Sequence, residues 1–317
     1  MKRILTVLGL FSLVACGGSG ASTSTPSKEA TPTTAEEVQT HMNFLASDEL
    51  SGREAGTEGI ASAATYIEAF FTKHQIGPYY STFKDTLTNY EPTAYNVIGY
   101  LPGTDPALTN ELIVIGAHYD HIGQGEAVGD DTIANGANDN ATGTVTVMQL
   151  ARYFAQRRSN KRPLMFALFS AEEKGLLGSR HLAARMKKEG KVPYLVLNFE
   201  MTGVPMTDKP YTTYLTGYDR SNLAEMMNGY SGTNLVGYLP TAKAYNLFMR
   251  SDNFPFFQEF GIPAHTFSTF DFTNFDHYHK VGDEASIIDA EHMSGLINAF
   301  SKPIELLVND TQKVKKS

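Results

Sequence analysis

The 317-residue sequence contains a single cysteine, Cys16, and no tryptophan. One cysteine cannot form a disulfide within the chain or build a thiolate metal site, so any metal must be held by His, Asp and Glu. Positive charge is also scarce, because 34 acidic residues outnumber 26 basic ones and the formal net charge is −8. This balance argues against nucleic acid as a partner, because phosphate binding needs a basic face.

The N-terminal apolar run is too short to span a bilayer, which takes about 20 residues. Residues 4–14 follow Lys2 and Arg3 and have the length of a signal-peptide core. The run ends in Leu-Val-Ala-Cys, which resembles the lipobox of bacterial lipoproteins, where the cysteine is lipidated. We therefore expect residues 1–15 to be a signal peptide and Cys16 to be a lipidation site. An ordinary signal peptide with an incidental cysteine is the alternative.

The next segment lacks large apolar side chains and is rich in Gly, Ser, Thr, Ala and Pro. Such a composition cannot bury a core and is typical of a flexible tether. We expect residues 16–34 to be a lipid-anchored linker, and residues 35–317 to form a single domain. The expected location is the bacterial cell envelope, in the periplasm or at the outer-membrane face. The sequence makes no prediction of the oligomeric state.

Short apolar runs and stretches of helical spacing alternate through the rest of the chain. The runs LIVIGA, LMFALF and YLVL are bounded by polar or turn residues and predict buried strands. Strands that alternate with helices predict a largely parallel sheet covered on both faces. The expected fold is α/β, a three-layer α/β/α sandwich with a largely parallel mixed central sheet.

Histidine and acidic residues follow these strands. The sequence HYDH at positions 118–121 follows LIVIGA and places His118 two residues from Asp120, a carboxylate that could fix the imidazole tautomer. Asp139 lies among small residues in ANDNATG, where a backbone can approach a metal closely. The alternatives are polar residues in a strand-end loop and, for Asp139 or Asn140, a helix N-cap.

Three further sites show the same pattern. Glu172 and Glu173 follow LMFALF, and adjacent carboxylates repel each other unless a cation or a proton offsets their charge. One could ligate while the other acts as a general base; the alternative is a solvated pair in a first helical turn. Glu200 follows YLVL, and His277 and His279 flank Tyr278 further on. Histidine is the commonest metal-ligating side chain.

The joint pattern predicts a metal site at one edge of the sheet. In open α/β sheets, ligands bind beyond the carboxyl ends of the strands, so these segments should converge. Nitrogen and oxygen ligands without sulfur suit a pair of zinc ions in a hydrolase. Two such ions lie ~3.5–4 Å apart and need a bridging ligand, for which Asp139 is suitable.

The chain resembles the co-catalytic zinc peptidases that include the bacterial secreted leucyl aminopeptidases and the transferrin-receptor-like proteins. The matching stretches occur in the family's order and at roughly its spacing: GAHYDHIG, GANDNATG, FSAEEKGLLGS, LNFEMTG, RSDNFPFFQEFGIPA and DHYHKVGDE. The resemblance implies a zinc-exopeptidase fold with two Zn²⁺ per chain, with Co²⁺ or Mn²⁺ as alternatives. It also implies an aminopeptidase that acts on peptides with a free N-terminus through a zinc-activated water.

The resemblance further implies a role for individual residues. The metal ligands would be His118, Asp139, Glu173, Glu200 and His279. Asp139 would bridge, Asp120 would orient His118, Glu172 would be the general base, and Tyr278 would help to stabilise the oxyanion. His277 is the rival of His279. One departure is Glu200, where many relatives carry aspartate, which puts the metal preference in doubt.

Other functions on the same fold are the alternatives. A carboxypeptidase or a glutaminyl-cyclase-like enzyme would share the scaffold, and such cyclases work with one zinc ion. A binding module without catalysis is a further alternative, although such relatives lose ligands that this chain keeps. A serine hydrolase lacks support, because no Gly-x-Ser-x-Gly sequence follows a strand.

Overall fold

The computed structural model describes residues 29–317. The predicted signal peptide, Cys16 and most of the predicted linker lie outside the described residues. The end of that linker contacts the domain, because the backbone N–H of Thr31 donates to Gln156 Oε1 and that of Thr33 to Asn298 Oδ1, both over 2.9 Å. Attachment to the folded body therefore begins before Ala35.

Helices supply both outer layers. The first helix begins with a capping box, in which the Thr34 hydroxyl accepts from the N–H of Glu37 while the Glu37 carboxylate accepts from the N–H of Thr34. No helix within residues 29–317 has the length and apolar character to cross a membrane. The α-helices of this part of the chain are α1 Ala35–Leu45, α2 Glu58–Lys73, α3 Thr142–Arg157, α4 Leu177–Lys188, α5 Leu223–Ser231, α6 Pro240–Ala244, α7 Asn253–Phe260 and α8 Ala290–Asn309.

The strands form one large sheet and a separate hairpin. Those in residues 29–317 are β1 Gly77–Pro78, β2 Lys84–Thr86, β3 Tyr95–Leu101, β4 Ile113–His118, β5 Gly123–Val128, β6 Asp131–Ala134, β7 Leu164–Phe169, β8 Leu195–Phe199, β9 Thr213–Leu215, β10 Val236–Gly237 and β11 Ala264–Ser268. The sheet order is β1-β3-β7-β4-β8-β11-β9-β10, with β2 also paired to β3, while β5 and β6 form the hairpin. Strands β7, β4, β8 and β11 are mutually parallel, and the β1–β3, β2–β3, β3–β7 and β9–β11 pairs are antiparallel.

The central strands are buried on both faces, which explains their continuous apolar sequences. In β4, Ile113 and Ile115 face a core formed with α1, α2, α3, α5 and α8, whereas Val114 between them faces the opposite core, formed with α4 and α7. The sheet therefore lies between two helical layers, and the predicted α/β/α sandwich with a mixed, largely parallel sheet is confirmed.

Parallel pairing places the carboxyl ends of the central strands at one edge. His118 is the last residue of β4 and is paired in register with Phe169, the last residue of β7. Phe199 ends β8, so Glu200 follows directly beyond the same edge. The polar residues that follow these strands thus meet although they are distant in sequence.

A buried carboxylate joins α8 to α3 on the other side of the domain. Glu305 is 2% exposed and accepts hydrogen bonds from Arg157, Tyr153, Lys302 and Ser159. Burial by itself raises the pKa of Glu305. The hydrogen bonds from Lys302, Ser159 and Arg157 together outweigh this effect and lower the pKa to about 2. The ionised carboxylate is therefore favoured in the folded protein relative to the unfolded chain.

Glu305→Gln should lower the free energy of unfolding by about 2–3 kcal/mol at pH 7. A depressed folded pKa contributes stability above the unfolded value of 4.5, and this contribution is lost as the pH falls toward 2. Urea denaturation between pH 7 and 3 should therefore show the wild type and the variant converging. Glu225→Gln, at an exposed position of α5, is the control and should show no such trend. A constant difference across this range would contradict the interpretation.

Candidate metal centre

The carboxylate of Asp139 turns its two oxygens toward different histidines. Oδ1 lies 3.4 Å from Nε2 of His118, and Oδ2 lies 3.2 Å from Nε2 of His279. Nδ1 of His121 is 3.9 Å from the same Oδ2. Asp139 and His118 are both buried, so water offers their polar atoms little compensation. One carboxylate in this position could contact two cations at once.

Glu173 joins the cluster from the end of β7. Its Oε1 lies 3.2 Å from Nδ1 of His121, and its Oε2 lies 3.1 Å from Nε2 of His279. Ligand atoms of His121, Asp139 and Glu173 all lie within 4.8 Å of one another. This spacing would allow all three to reach a single ion.

Glu172 and Glu200 complete the acidic surroundings. Both line an open cleft of about 360 Å³, together with Asp139, Glu173 and His279. Glu200 Oε2 is buried and has no hydrogen-bond partner among the described residues. The structure thus brings the proposed base and the five proposed ligands together at the carboxyl edge of the sheet.

Asp120 fastens two segments of the centre to each other. Its Oδ1 accepts from the backbone N–H of Glu172 over 3.1 Å, and its Oδ2 from that of Glu173 over 3.3 Å. The sequence led us to expect that this side chain orients His118. The nearer neighbour of His118 Nδ1 is instead the Asp120 backbone carbonyl at 3.2 Å, with the side-chain Oδ1 at 3.7 Å. The Asp120 carboxylate therefore mainly fixes the Glu172–Glu173 turn.

The loop that carries Asp139 is held by buried contacts of its backbone. Asp283 accepts from the backbone N–H of Asn138 over 2.7 Å and from that of Asp139 over 3.0 Å. Gly136 has φ +59°, and a Cβ there would lie 2.4 Å from the Asp139 carbonyl oxygen and from the His121 ring. Glycine is therefore required at this turn, because any side chain would displace a group of the cluster.

Arg53 lies beneath both the His118 and the Asp139 loops. Its Nε donates to the Tyr119 carbonyl over 2.9 Å, and its Nη2 donates to the Gly136 carbonyl over 2.8 Å. Its Nη1 donates to the Asn135 carbonyl over 2.6 Å and also to the Leu45 carbonyl. Burial lowers the pKa of this guanidinium to about 10, against the raising effect of nearby carboxylates. One side chain thus joins the two loops that carry metal-ligand candidates.

The centre concentrates carboxyl groups: Asp120, Asp139 and Asp252 are buried, and Glu172, Glu173 and Glu200 are half-buried. Burial raises the pKa of Glu172 well above its usual value, and Asp252 and Glu200 raise it further. Burial also raises the pKa of Glu200 to about 7, against the lowering effect of His118. Burial lowers the pKa of His118, but Asp139 and Asp120 outweigh it and bring that pKa to about 9. The cluster therefore favours added positive charge.

Buried polar atoms in the cluster also lack hydrogen-bond partners in the described part of the chain. They are His118 Nε2, both ring nitrogens of His121, Glu200 Oε2 and both carboxylate oxygens of Asp252. His118 Nε2 and His121 Nδ1 still have the charge contacts with Asp139 and Glu173 given above. Leaving such an atom unpaired costs about 1–3 kcal/mol each. Imidazole nitrogens and carboxylate oxygens are zinc ligands, and metal binding would satisfy several of these atoms. The residues present therefore fit a divalent metal.

The aromatic residue next to His279 forms one wall of the cleft. The Tyr278 ring stacks on His279 with centroids 4.0 Å apart, and it packs on Phe270 at 5.4 Å. Burial and the nearby carboxylates raise the pKa of Tyr278. His277 points elsewhere: its ring contacts Phe275 at 5.7 Å and lines a separate surface pocket. The structure thus brings His279, not His277, to Asp139.

Sequence reasoning missed two residues of the centre. His121 ends the HYDH sequence and contacts Glu173, and Asp252 is fully buried beside Glu172. The sequence signal for His121 was its place in a strand-end segment, where a second histidine could have been weighed as a ligand. Asp252 lies in RSDNFPFF, where an acidic residue interrupts an apolar stretch.

Comparison with known proteins identifies the family. Residues 96–302 match the model of peptidase family M28. Leupeptin-inactivating enzyme 1 of Streptomyces exfoliatus is 28% identical over 234 residues, which is 72% of this chain and 47% of the relative. Leucine aminopeptidase 1 of Trichophyton equinum is 33% identical over 114 residues, 34% of this chain and 29% of the relative. The chain thus spans about half or less of the length of these relatives.

Solved structures share the fold. LapA aminopeptidase of Legionella pneumophila superimposes with a TM-score of 0.65 at 22% identity, covering 86% of this chain and 72% of that one. BSAP, a zinc aminopeptidase of Bacillus subtilis, gives 0.66 at 15% identity over 86% and 95% of the two chains. Porphyromonas gingivalis glutaminyl cyclase gives 0.64 at 16% identity over 87% and 98%. The family match covers most of the chain and confirms the resemblance seen in the sequence, so the protein belongs to peptidase family M28.

Proposed function

We propose that the protein is a metallo-aminopeptidase that removes N-terminal residues from peptides and holds two zinc ions. The observation that carries the proposal is the position of Asp139, with one oxygen facing His118 and the other facing His279. Membership of a peptidase family supports hydrolysis of peptide bonds. Relatives named leucine aminopeptidase support removal of the N-terminal residue in particular.

The two ions would share Asp139 as a common ligand. His118 and Glu200 would complete one site, and Glu173 and His279 the other. His121 lies within reach of Glu173 and is an additional candidate for the second site. When bound, the ions would supply Lewis acidity, which acidifies water and polarises a carbonyl oxygen.

Glu172 is the general base in this proposal. Its carboxylate lines the cleft, and among the described residues no side chain donates a hydrogen bond to it. Its backbone is fixed, because the N–H donates to Asp120 while the carbonyl accepts from Gly175 and Leu176 over 2.8 Å. A rigid backbone with an unengaged carboxylate suits a group that takes a proton from water and returns it to the leaving amine.

The acidic cluster also suits substrates with a free N-terminus. A peptide's α-amino group has a pKa near 8 and is largely protonated at neutral pH. The carboxylates that line the cleft would attract this cation, whereas a blocked N-terminus offers no charge. Tyr278 lines the same cleft and could donate its hydroxyl proton to the developing oxyanion.

Metal removal should abolish activity, and readdition of zinc should restore it at a stoichiometry of two ions per chain. His118→Ala and His279→Ala should each lose one tightly bound ion, because each removes a ligand of a different site. His277→Ala is the matched control from the same loop and should keep both ions. Metal analysis after dialysis, paired with hydrolysis of aminoacyl anilides, measures both effects.

The other possible outcomes separate the alternatives. One tightly bound ion per chain would favour a cyclase-like enzyme, whose fold this chain shares. Zinc bound without turnover of any aminoacyl or peptide substrate would favour a binding module. Release of C-terminal residues would favour a carboxypeptidase.

We also propose that the protein is a lipoprotein of the bacterial cell envelope, on the basis of residues 1–34. Expression of the full chain with a radiolabelled fatty acid should label the wild type, and Cys16→Ser should abolish the label. Labelling that survives this substitution, or a wild type found unlabelled, would contradict the proposal.

A further inference from the structure

A small side pocket opens beside the cleft. Its volume is about 40 Å³, compared with about 360 Å³ for the cleft itself. Glu200, Arg250 and Tyr278 line both, so the side pocket begins at the proposed metal centre. A volume of this size holds about three water molecules, which is close to the size of a short side chain.

The lining of the side pocket is more polar than an aliphatic side chain would require. Thr216, Ser251, Thr266 and Ser268 line it, together with the aromatic residues Phe270 and Phe272. The Thr216 hydroxyl accepts a hydrogen bond from the N–H of Thr266 over 3.1 Å, which leaves its own proton free for a further acceptor. Such a lining favours a ligand that accepts hydrogen bonds.

Arg250 adds a positive charge at an exposed position of the lining, and it forms no ion pair with a carboxylate of the described residues, Glu200 of the same lining included. Within residues 29–317, no ion pair, side-chain hydrogen bond or ring contact engages its guanidinium. Some other arginines are paired with carboxylates, such as Arg185 with Asp85 and Arg162 with Glu111. A guanidinium presents a planar set of donors that matches a carboxylate. An unpaired arginine at a polar pocket therefore suits an anionic group of the substrate.

We propose that the side pocket selects peptides whose N-terminal residue is acidic, glutamate or aspartate, through Arg250. The proposal rests on the proposed aminopeptidase function and names its substrate class. A peptide with its first residue at the metal centre would place that side chain in the side pocket, while the rest of the chain leaves through the wider cleft. The same chemistry could instead recognise the terminal carboxylate of a dipeptide. The small volume favours the side chain.

The test compares glutamyl, glutaminyl and leucyl anilides with the zinc-loaded protein. These substrates carry no terminal carboxylate, and glutamate and glutamine differ in charge but hardly in shape. We expect kcat/KM to be highest for the glutamyl substrate. Arg250→Gln should lower the glutamyl-to-glutaminyl ratio of kcat/KM by about tenfold or more, as for loss of a charged hydrogen bond. Arg180→Gln is the matched control, because Arg180 lines the cleft but not the side pocket.

The remaining outcomes are distinct. If the leucyl anilide is the best substrate and Arg250→Gln leaves the ratio unchanged, the inference fails while the aminopeptidase function stands. An equal change in Arg180→Gln would show a general charge effect and would also overturn it. If Arg250→Gln impairs hydrolysis of Ala-Ala but not of Ala-Ala-amide, Arg250 recognises the terminal carboxylate instead. Failure to cleave any of these substrates would remove the proposed function itself.

Discussion

Glu172→Gln should lower kcat by about 10²–10⁴-fold while the bound zinc is retained, because general acid–base catalysis contributes a factor of this size. Glutamine keeps the shape of the side chain but can neither take a proton from water nor deliver it to the leaving amine. The backbone hydrogen bonds of Glu172 to Asp120, Gly175 and Leu176 do not involve the side chain and should survive. The loss should therefore appear in catalysis and not in folding.

Two further variants make this result specific. Glu173→Gln should lose metal as well as activity, because Glu173 contacts both His121 and His279. Glu54→Gln should keep both, because Glu54 pairs with Lys174 near the surface, 2.7 Å away, and does not line the cleft. Zinc content, kcat and thermal stability are measured for all three. If Glu172→Gln keeps more than a tenth of wild-type turnover, the base has been assigned to the wrong residue.

The layers of the fold could be predicted from the sequence because the amino-acid composition of each strand indicates which of its faces are buried. The runs LIVIGA and LMFALF are apolar on both faces, and this pattern implies helices on both sides of a sheet. The sequence also predicted that Glu173 and Glu200 lie just beyond the ends of strands, where parallel pairing brings them together. Both inferences depend on local pattern and on a general property of parallel sheets.

What the sequence did not show depends on distances that no local pattern encodes. HYDH gives no physical means of deciding whether His121 turns inward, and that depends on the Gly136 turn that packs against its ring. The hairpin of β5 and β6 follows directly after this segment, and the predicted elements did not include it. Arg53 lies in the segment DELSGREAGTEG, whose glycine-rich polar composition is typical of a loop, yet its side chain is 1% exposed. Its hydrogen-bond partners are backbone carbonyls. Every residue has one, so the sequence does not show which carbonyls bind Arg53.

Arg53→Met should lower the free energy of unfolding by about 3–5 kcal/mol, a large effect for one side chain. Methionine replaces much of the volume but provides no donor, so the carbonyls of Leu45, Tyr119, Asn135 and Gly136 would each lose a hydrogen bond. A buried acceptor without a partner costs about 1–3 kcal/mol, and partial relaxation keeps the total below the sum. Position 53 has a left-handed φ of +46°. This conformation is strained for methionine as it is for arginine, so it does not contribute to the difference in stability between the variant and the wild type.

Arg158→Met is the control for the same chemical change. Arg158 also has a positive φ, of +49°, and donates to one backbone carbonyl, that of Gln75, but from an exposed site. Arg158→Met should change the free energy of unfolding by less than about 1 kcal/mol. Urea denaturation of the two variants measures the difference, and equal effects would show that burial of Arg53 contributes nothing.

The position of Arg53 also predicts which property a substitution will affect first. Its partners lie in the segments that carry His118, His121 and Asp139, so loosening them should weaken zinc binding even where the domain remains folded. Arg53→Lys tests this: lysine keeps the charge but cannot provide the planar donors that reach several carbonyls at once. We expect it to bind zinc more weakly than wild type at a temperature where both are folded. If Arg53→Lys binds zinc with wild-type affinity, the charge alone supports the loops, and the hydrogen bonds from Arg53 to the backbone carbonyls are not needed to hold the metal centre.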